Sequence, residues 1–181
     1  YIDAVAALHR VDWRALDTRL PPPPDDPVAF EIDWWAGKIV EQCGESLPSF
    51  EKVIGWLRAN KPAPATPCLV HGDPKLGNLL LKGSRLVGLL DWEMSSIGDP
   101  MCDLGWFSYL WNSFFTAGFT DLPGAMSWDE MAARYTERTG RPVENILYYQ
   151  VLQGFKTIAI CFVGYMMFCR GITEDVRFQH F

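Results

Sequence analysis

The sequence predicts an α+β fold in which helices dominate. Apolar residues recur at helical spacing over residues 1–59 and again from Val143 onward. Between these regions, two short apolar runs flank Gly83-Ser84, a pattern typical of a β-hairpin. Hydrophobic residues make up 49% of the 181 residues, which is enough for a single domain with a packed core.

The helices follow one another with recognisable start and stop signals. The first already contains Tyr1 and ends near Val11, and the prolines 21–24 after it form a stiff, extended connector. A second helix is predicted over Val28–Cys43 and a third over Leu47–Ala59. The second helix should bury Phe30, Ile32, Trp34, Trp35, Ile39 and Val40. After a turn at Gly98-Asp99-Pro100, further helices are predicted over residues 101–116, from a Ser127 cap with Glu130 to about Thr139, and from Val143 onward.

The centre of the chain predicts short strands separated by charged loops. The apolar run Cys68–Val70 leads into the segment His71–Asn78. The runs Asn78–Lys82 and Arg85–Leu90 are the two arms of the hairpin. Asp91 lies where the second arm ends, so the hairpin should return the chain to its starting point.

Composition excludes several classes of function. The net charge of −6 offers no basic face for a phosphate backbone, so nucleic acid is not a predicted partner. Five cysteines without a CxxC pair indicate a reducing compartment, and three histidines argue against a zinc site. The nearly uncharged run Thr157–Cys169 is shorter than the ~20 residues of a bilayer span and predicts a buried core helix. We expect a soluble, cytoplasmic protein that does not bind membranes.

The segment His71–Asn78, with the sequence HGDPKLGN, carries the strongest chemical signal. Phosphoryl transfer needs a carboxylate that accepts the proton of the attacking hydroxyl, and oxygen ligands that hold Mg²⁺ on the nucleotide phosphates. Asp73 follows a predicted strand, and Asn78 comes five residues later on a glycine-containing loop. Asp91 lies across the hairpin from Asn78. Since Mg²⁺ prefers amide and carboxylate oxygens, this spacing predicts a magnesium-dependent phosphoryl-transfer site.

This segment and Asp91-Trp92-Glu93 resemble the catalytic segment of the aminoglycoside phosphotransferase family, which is similar to the protein kinases in fold and motif order. The kinase pattern H-R-D-x-x-x-x-N followed by D-F-G is matched by His71, Asp73, Asn78 and Asp91. The Leu8-His9 pair, Gly98-Asp99-Pro100 and Asp103-Leu104-Gly105 also resemble this family. The resemblance implies a protein-kinase-like C-terminal lobe with a small β-hairpin that carries the catalytic and metal residues.

The resemblance also implies a role for each motif residue. Asp73 is the expected catalytic base, and Asn78 and Asp91 are the expected Mg²⁺ ligands. Lys75 stands where protein kinases place a lysine that contacts the transferred phosphate, so it is the expected cofactor-binding residue. His71 is expected to orient the loop through hydrogen bonds. The implied phosphate donor is ATP, with GTP as the alternative.

The acceptor implied by the resemblance is a hydroxyl of a small molecule. In this family the acceptor pocket is built from helices after Asp103. The sequence from Asp91-Trp92-Glu93 to Gly98-Asp99-Pro100 resembles the branch related to kinase domains fused to acyl-CoA dehydrogenases. That branch favours hydroxyacyl thioesters or similar hydroxylated metabolites over antibiotics as acceptors.

Structural roles stay open for several residues near the motif. Asp99 favours a turn, and Asp103 favours a helix start or an ion pair. His9 favours packing within the first helix. Glu93 either faces the metal or a cationic substrate group, or makes a structural hydrogen bond. Aromatic residues at helical spacing are usually core, with one or two expected to reach the cleft: Trp34, Trp35, Trp56, Trp106 and Trp111.

Two other functions fit the same residues. A non-catalytic kinase-like protein would keep the fold for binding alone. A metal-dependent phosphohydrolase would use Asp73, Asp91 and His71, although the sequence offers no second cluster for a two-metal site.

The kinase-like nucleotide-binding lobe has no counterpart upstream of the motif. No Gly-rich loop and no V-A-I-K strand precede His71. We therefore expect residues 1–181 to be the C-terminal, catalytic and substrate-binding lobe, with the N-terminal lobe absent from this chain.

The isolated chain is accordingly expected to show little or no kinase activity, because half of the ATP cleft is missing. ATP consumption by these residues and by the full-length protein would be compared on hydroxylated metabolites, hydroxyacyl thioesters and aminoglycosides. Robust turnover by the isolated chain would contradict the prediction.

Overall fold

The computed structural model describes residues 1–17, 19–111 and 123–180. Within these ranges the chain forms six α-helices and two small antiparallel sheets, which confirms the predicted, mainly helical α+β class. The helices are α1 (Ile2–His9), α2 (Pro27–Cys43), α3 (Pro48–Ala59), α4 (Pro100–Trp111), α5 (Trp128–Thr139) and α6 (Ile146–Cys169). Short 3₁₀ turns occupy Trp13–Ala15, Leu76–Asn78, Trp92–Met94 and Val176–His180.

Local sequence signals fix the ends of α2 and α5. The side chain of Asp26 caps α2 by accepting a hydrogen bond of 2.9 Å from the N–H of Ala29, and Gly44 ends the helix with a φ of 79°. Ser127 and Glu130 form the predicted capping box at the start of α5. The cap of α5 was predicted from the sequence, whereas Asp26 was expected to lie in a solvated loop and instead caps α2.

The boundaries of α1 and α4 differ from their predictions. Helix α1 ends at His9, two residues before the predicted end at Val11. Helix α4 begins at Pro100, which occupies the position of a proline tolerated in a first turn. The predicted continuation of this helix to Thr116 lies outside the described residues.

The strands are β1 (Cys68–Val70), β2 (Leu79–Lys82), β3 (Arg85–Leu89) and β4 (Ser96–Gly98). The predicted hairpin is present: β2 pairs with β3, and Leu79 lies opposite Leu89 at its base. Strand β1 pairs with β4 instead, with Cys68 opposite Gly98 and Val70 opposite Ser96. The charged residues lie on the two loops that connect these strand pairs, one between β1 and β2 and the other between β3 and β4.

Strand β4 was not predicted. Residues 98–100 were expected to form a turn, but Gly98 closes a strand and Pro100 opens α4. The segment Ser96–Gly98 is too short to show a period-2 pattern, and its pairing with β1 spans almost thirty residues of sequence. Such a strand is determined by its partner and not by its own propensity.

The main hydrophobic core lies between α6 and the helices α1, α2, α3, α4 and α5. Helices α4 and α6 approach closely at Gly105, where an added Cβ would lie 2.5 Å from Cβ of Tyr149. The core includes Ile2, Val5, Val28, Ile32, Ile39, Leu57, Leu104, Phe107, Tyr135, Leu152 and Phe155. Helix α4 packs in this core and also contacts the loop described below.

The buried face of α2 is narrower than predicted. Ile32 and Ile39 are fully buried, as expected. Phe30 and Trp34 are about half exposed, at 54% and 51%, and Val40 is 39% exposed, so the prediction was wrong for these three. Hydrophobic periodicity cannot separate a core face from the wall of an open cavity, and Phe30 and Trp34 line such a cavity.

Helix α6 combines a core segment with a partly exposed one. Its first half contributes Tyr149, Leu152 and Phe155 to the core. The run 158–168, predicted to be core, is only half-buried: Ile158 and Tyr165 are 56% and 41% exposed. Within the described ranges, α6 has the length and apolar composition of a membrane span, a test that core helices of soluble proteins also pass.

The contact between α4 and α6 should tolerate no side chain at position 105. Gly105→Ala is expected to lower the free energy of unfolding by about 1–3 kcal/mol, because the new Cβ overlaps Tyr149. Gly55→Ala on α3 is the matched control, since nothing lies within 4 Å of its added Cβ. Removing a helical glycine there should raise stability by about 0.5–1 kcal/mol. Urea denaturation measures both; equal effects of the two changes would contradict the close packing.

Candidate active site

Three of the four predicted site residues, Asp73, Lys75 and Asn78, lie on one loop between β1 and the hairpin, here called the motif loop (His71–Asn78), and Asp91 follows the hairpin. Strand β1 ends at Val70 and delivers the loop, and the 3₁₀ turn Leu76–Asn78 returns the chain to β2. The backbone N–H of Leu90 donates to the carbonyl of Asn78 at 2.8 Å, which joins both ends of the hairpin to this loop. The predicted site residues therefore flank the base of the hairpin instead of lying within its strands.

Asp73 and Asn78 are held together by two hydrogen bonds. Nδ2 of Asn78 donates to the backbone carbonyl of Asp73 at 2.9 Å and to Oδ2 of its carboxylate at 3.0 Å. Two acceptors around one amide group establish that the nitrogen faces Asp73. The amide oxygen of Asn78 consequently points to the other side, where it can act as a ligand.

The two oxygens of Asp73 have different surroundings. Oδ2 accepts hydrogen bonds from Asn78 and from the ammonium of Lys75, whose side chain is 43% exposed. Oδ1 is buried and has no hydrogen-bond partner among the residues that the structure describes. Buried acceptors are almost always satisfied, so an orphan carboxylate oxygen needs an explanation, and a donor from a bound molecule provides one.

Asp91 sits beside the motif loop in a conformation that few residues adopt. Its φ of 68° and ψ of 61° are left-handed, which non-glycine residues take at a cost. Its side chain is exposed, and the preceding residue, Leu90, is hydrogen-bonded to Asn78. The strained backbone therefore turns Asp91 out of strand β3, close to Asn78, which is the other predicted metal ligand.

His71 holds the motif loop from within. Its Nε2 donates to the carbonyl of Leu90 at 2.9 Å, and its Nδ1 accepts from the N–H of Asp73 at 3.3 Å. The ring is fully buried, and its centroid lies 4.6 Å from that of Trp92. Both ring nitrogens are thus used in fixing the loop, which agrees with the orienting role expected from the resemblance.

A buried carboxylate from α4 anchors the start of the loop. Asp103 accepts hydrogen bonds of 2.8 Å from the N–H groups of both His71 and Gly72. Its Oδ2 also lies 3.1 Å from Nε2 of His9, whose Nδ1 is 2.8 Å from the hydroxyl of Tyr135. Burial by itself raises the pKa of Asp103, but the bonds from His9 and the two amides outweigh it, so the pKa falls below its usual 3.8.

These contacts settle the open roles of His9 and Asp103. Asp103 is an ion-pair and hydrogen-bonding residue, as one of the two predicted alternatives had it. His9 was expected to serve in packing, but it also donates to Asp103 within a buried hydrogen-bonded chain. Tyr135, which extends this chain from α5, was missed because its sequence position carries no signal beyond a core aromatic.

Gly72 occupies the position at which protein kinases have arginine. Its φ is 83°, and an added Cβ would lie 2.2 Å from the carbonyl oxygen of Met94. No side chain fits there without displacing the backbone. The glycine in the motif therefore reflects a close contact between the motif loop and the segment after Asp91.

Asp99 caps α4, a role beyond the predicted turn. Its Oδ1 accepts from the N–H of Met101 at 2.8 Å, and its Oδ2 accepts from the hydroxyl of Tyr149 at 2.9 Å. Burial raises the pKa of this carboxyl above its usual value. Both oxygens of Asp99 are used for structure.

A cavity of about 530 Å³ adjoins the motif loop. It is lined by the proline connector, by α2, by the segment from Glu93 to Cys102 and by Lys156 of α6. Trp34 and Trp35 reach it, as expected for one or two of the tryptophans. Among the described residues, Lys156 is the cavity's one contribution from the helices after Asp103, whereas the resemblance implied a pocket built mainly from those helices.

The residues present suit Mg²⁺ held together with phosphates. The described ranges contain no cluster of three His, Cys, Asp or Glu side chains that would enclose a metal. Mg²⁺ in nucleotide sites typically takes one or two protein ligands and completes its shell with phosphates and water. The amide oxygen of Asn78 and the carboxylate of Asp91 form a donor set of this kind.

The buried position of Asp103 predicts a defined pH dependence of stability. Its lowered pKa means that it stabilises the fold fully above about pH 3.8, and that this contribution is lost as the pH falls through the lowered value. Asp103→Asn should therefore cost about 1.5–3 kcal/mol at neutral pH, and the deficit should shrink in acid as the wild-type carboxyl becomes protonated.

Urea unfolding of both proteins between neutral pH and about pH 2 measures this difference. Asp25→Asn, at an exposed position in the connector, is the control and should change little at any pH. A deficit for Asp103→Asn that stays constant down to the lowest pH would contradict the prediction.

Sequence comparison identifies relatives of the chain. A model of the phosphotransferase enzyme family matches residues 1–143. The chain is 31% identical over 180 residues to Probable acyl-CoA dehydrogenase IBR3 of Arabidopsis thaliana, covering 87% of this chain and 22% of that protein. It is 29% identical over 164 residues to Acyl-CoA dehydrogenase family member 10 of Mus musculus, covering 84% and 15% respectively. The chain thus spans less than a quarter of the length of these curated relatives.

Structural comparison gives the same fold. A candidate aminoglycoside phosphotransferase from Ralstonia eutropha superimposes with a TM-score of 0.82 at 24% identity, covering 99% of this chain and 58% of that one. The relatives confirm the predicted resemblance, including the branch related to acyl-CoA dehydrogenases. The chain belongs to the phosphotransferase enzyme family and has its kinase-like fold.

Proposed function

We propose that the protein containing this chain transfers the γ-phosphate of ATP to a hydroxyl of a small molecule, with Mg²⁺ as cofactor. The observation that carries the proposal is the carboxylate of Asp73, whose buried Oδ1 has no partner within the described ranges while its Oδ2 is held by Asn78 and Lys75. This arrangement suits a general base, because Oδ2 is held by hydrogen bonds while Oδ1 keeps an unused acceptor position with respect to the described residues.

In the proposed step, the acceptor hydroxyl donates its hydrogen bond to Oδ1 of Asp73. The hydroxyl oxygen bonds to the γ-phosphorus, the bond from that phosphorus to the bridging oxygen breaks, and the donor leaves as the diphosphate. The proton passes to Asp73. The residues thus contribute position and charge, which is what phosphoryl transfer mainly requires.

Three further residues hold the phosphates in this proposal. Asn78 and Asp91 would hold Mg²⁺, which would supply positive charge to neutralise the phosphate oxygens. Lys75, whose side chain is partly exposed and pairs with Asp73, would contact the transferred phosphate. GTP is the alternative donor.

We propose that an N-terminal lobe outside this chain completes the nucleotide site. The hairpin supports this, because its apolar side chains Leu80, Leu81 and Val87 are 48%, 57% and 43% exposed. Exposed apolar clusters commonly mark a surface that another domain or ligand covers. The relative orientation of two lobes would then decide when ATP and acceptor meet.

The cavity beside the motif loop is the proposed acceptor site. Gly72 lines it, and Gly72 directly precedes Asp73. Its proline and aromatic walls suit a molecule with an apolar body better than a polycation. The relatives named as acyl-CoA dehydrogenases support hydroxyacyl thioesters or similar metabolites as acceptors. We also propose that the protein is cytoplasmic and binds neither nucleic acid nor membranes.

The decisive variant is Asp73→Asn in the full-length protein, with Asp73→Ala beside it. Both should lower the rate of phosphate transfer by about 10²–10⁴-fold, since the general base is lost. Binding of Mg-ATP, measured by calorimetry, should stay nearly unchanged because Asn78 and Asp91 remain. Asp25→Asn, an exposed change away from the motif loop, is the control.

Each rival function gives a different result in the same experiments. Unchanged transfer by both Asp73 variants would falsify the proposed role. Absence of Mg-ATP binding by the wild-type protein would favour a non-catalytic binding protein. Phosphate release without an acceptor, at the rate seen with one, would favour a phosphohydrolase.

A further inference from the structure

A buried lysine connects the proposed acceptor cavity with the motif loop. Lys156 on α6 is only 4% exposed, yet its side chain lines the cavity. Its ammonium donates to the carbonyl oxygen of Gly72 at 2.5 Å. It also lies 3.8 Å from Oε1 of Glu31 and 4.8 Å from the ring centre of Trp106. The ammonium of Lys156 therefore contacts the residue that precedes Asp73.

The ammonium of Lys156 is under-satisfied. It has three N–H groups, and within the described part of the chain one of them makes a hydrogen bond. Glu31 is too distant for a hydrogen bond, and its Oε1 already accepts from Nε2 of Gln153 at 3.2 Å. Oε1 of Gln153 is itself buried and has no partner in the part of the chain that the structure describes. Buried polar groups in this state are costly unless a ligand or water completes them.

The rest of the cavity supplies apolar contacts. Its walls include Pro22, Pro24, Phe30, Trp34 and Ile97. Carboxylates also line the cavity: Glu31 lies beside Lys156, and Glu93 is at an exposed position. Asp99 and Asp103 line it as well, but both accept hydrogen bonds from within the protein. Pockets that combine apolar walls with a few convergent polar groups use the polar groups to orient the ligand.

We propose that Lys156 is a specificity-determining residue that binds an oxygen acceptor, such as a carboxylate or carbonyl, at the polar end of a molecule with an apolar body. Glu31 is its counter-ion and weakens binding of anionic groups. The inference rests on the proposed function in so far as the ligand is the phosphate acceptor, but binding itself requires no phosphate transfer. Bound in this way, the ligand lies against the residue that precedes Asp73.

The test uses three probes with the same chain and different end groups: octanoate, octan-1-ol and octylammonium. Calorimetry with the full-length protein should show octanoate binding most tightly and octylammonium most weakly. Lys156→Met should weaken octanoate binding by about tenfold to a hundredfold, the worth of a charge-assisted hydrogen bond. Lys156→Arg should restore most of the preference, and Lys52→Met, at an exposed position on α3, should change nothing.

Glu31→Gln provides a second variant that keeps the buried ammonium and the shape of the cavity. Removing the carboxylate charge near Nζ should tighten octanoate binding by about fivefold or more and leave octan-1-ol unaffected. This outcome decides the question even if Lys156→Met does not fold.

Three results would overturn the inference: no binding of any probe to the wild type, no preference among the end groups, or unchanged octanoate binding in both Lys156→Met and Glu31→Gln. These results do not depend on catalysis. An enzyme that transfers phosphate normally but shows one of them would keep the proposed function and lose the role of Lys156. If the probes bind as expected but phosphate transfer is absent, the binding role of Lys156 would stand and the proposed kinase function would be wrong.

Discussion

The site depends on one buried carboxylate, that of Asp103. It receives two backbone N–H groups from the motif loop and one ring nitrogen from α1, all at hydrogen-bond distance and away from water. In a protein interior with a low dielectric constant, such charge-assisted hydrogen bonds are strong, and leaving one of these buried groups unpaired would be costly. The first two residues of the loop are therefore fixed by α4, and Asp73 follows from a defined starting point.

This anchor is effective because separate elements converge on it. Helix α1 brings His9, α5 brings Tyr135 and α4 brings the carboxylate itself. Tyr1 adds a further tie, since its hydroxyl donates to the carbonyl of Pro74 at 2.5 Å while its ring stacks on Phe107. The helical core thus does more than bury apolar surface: it holds the motif loop in place before any ligand binds. Preorganised groups of this kind avoid a reorganisation cost during reaction.

The sequence predicted what depends on local order along the chain. Asp73 and Asn78 lie within one short loop, and a hairpin with a clear turn brings Asp91 back to it. It could not predict contacts between distant segments, such as the bond between Lys156 and the carbonyl of Gly72, 84 residues apart. The apolar pattern of α2 was recognised but assigned wholly to the core, because a cavity wall and a core use the same side chains. Strand β4 was missed since only its partner makes it a strand.

The absence of space at Gly72 has a mechanical consequence. The carbonyl of Met94 occupies the space that a side chain at position 72 would need. The loop that carries Asp73 is therefore packed directly against the turn that follows Asp91. The two halves of the site are therefore in close backbone contact at this point. If the protein closes around a nucleotide as proposed, we expect the moving parts to lie outside this contact, because the loop and the turn pack backbone to backbone.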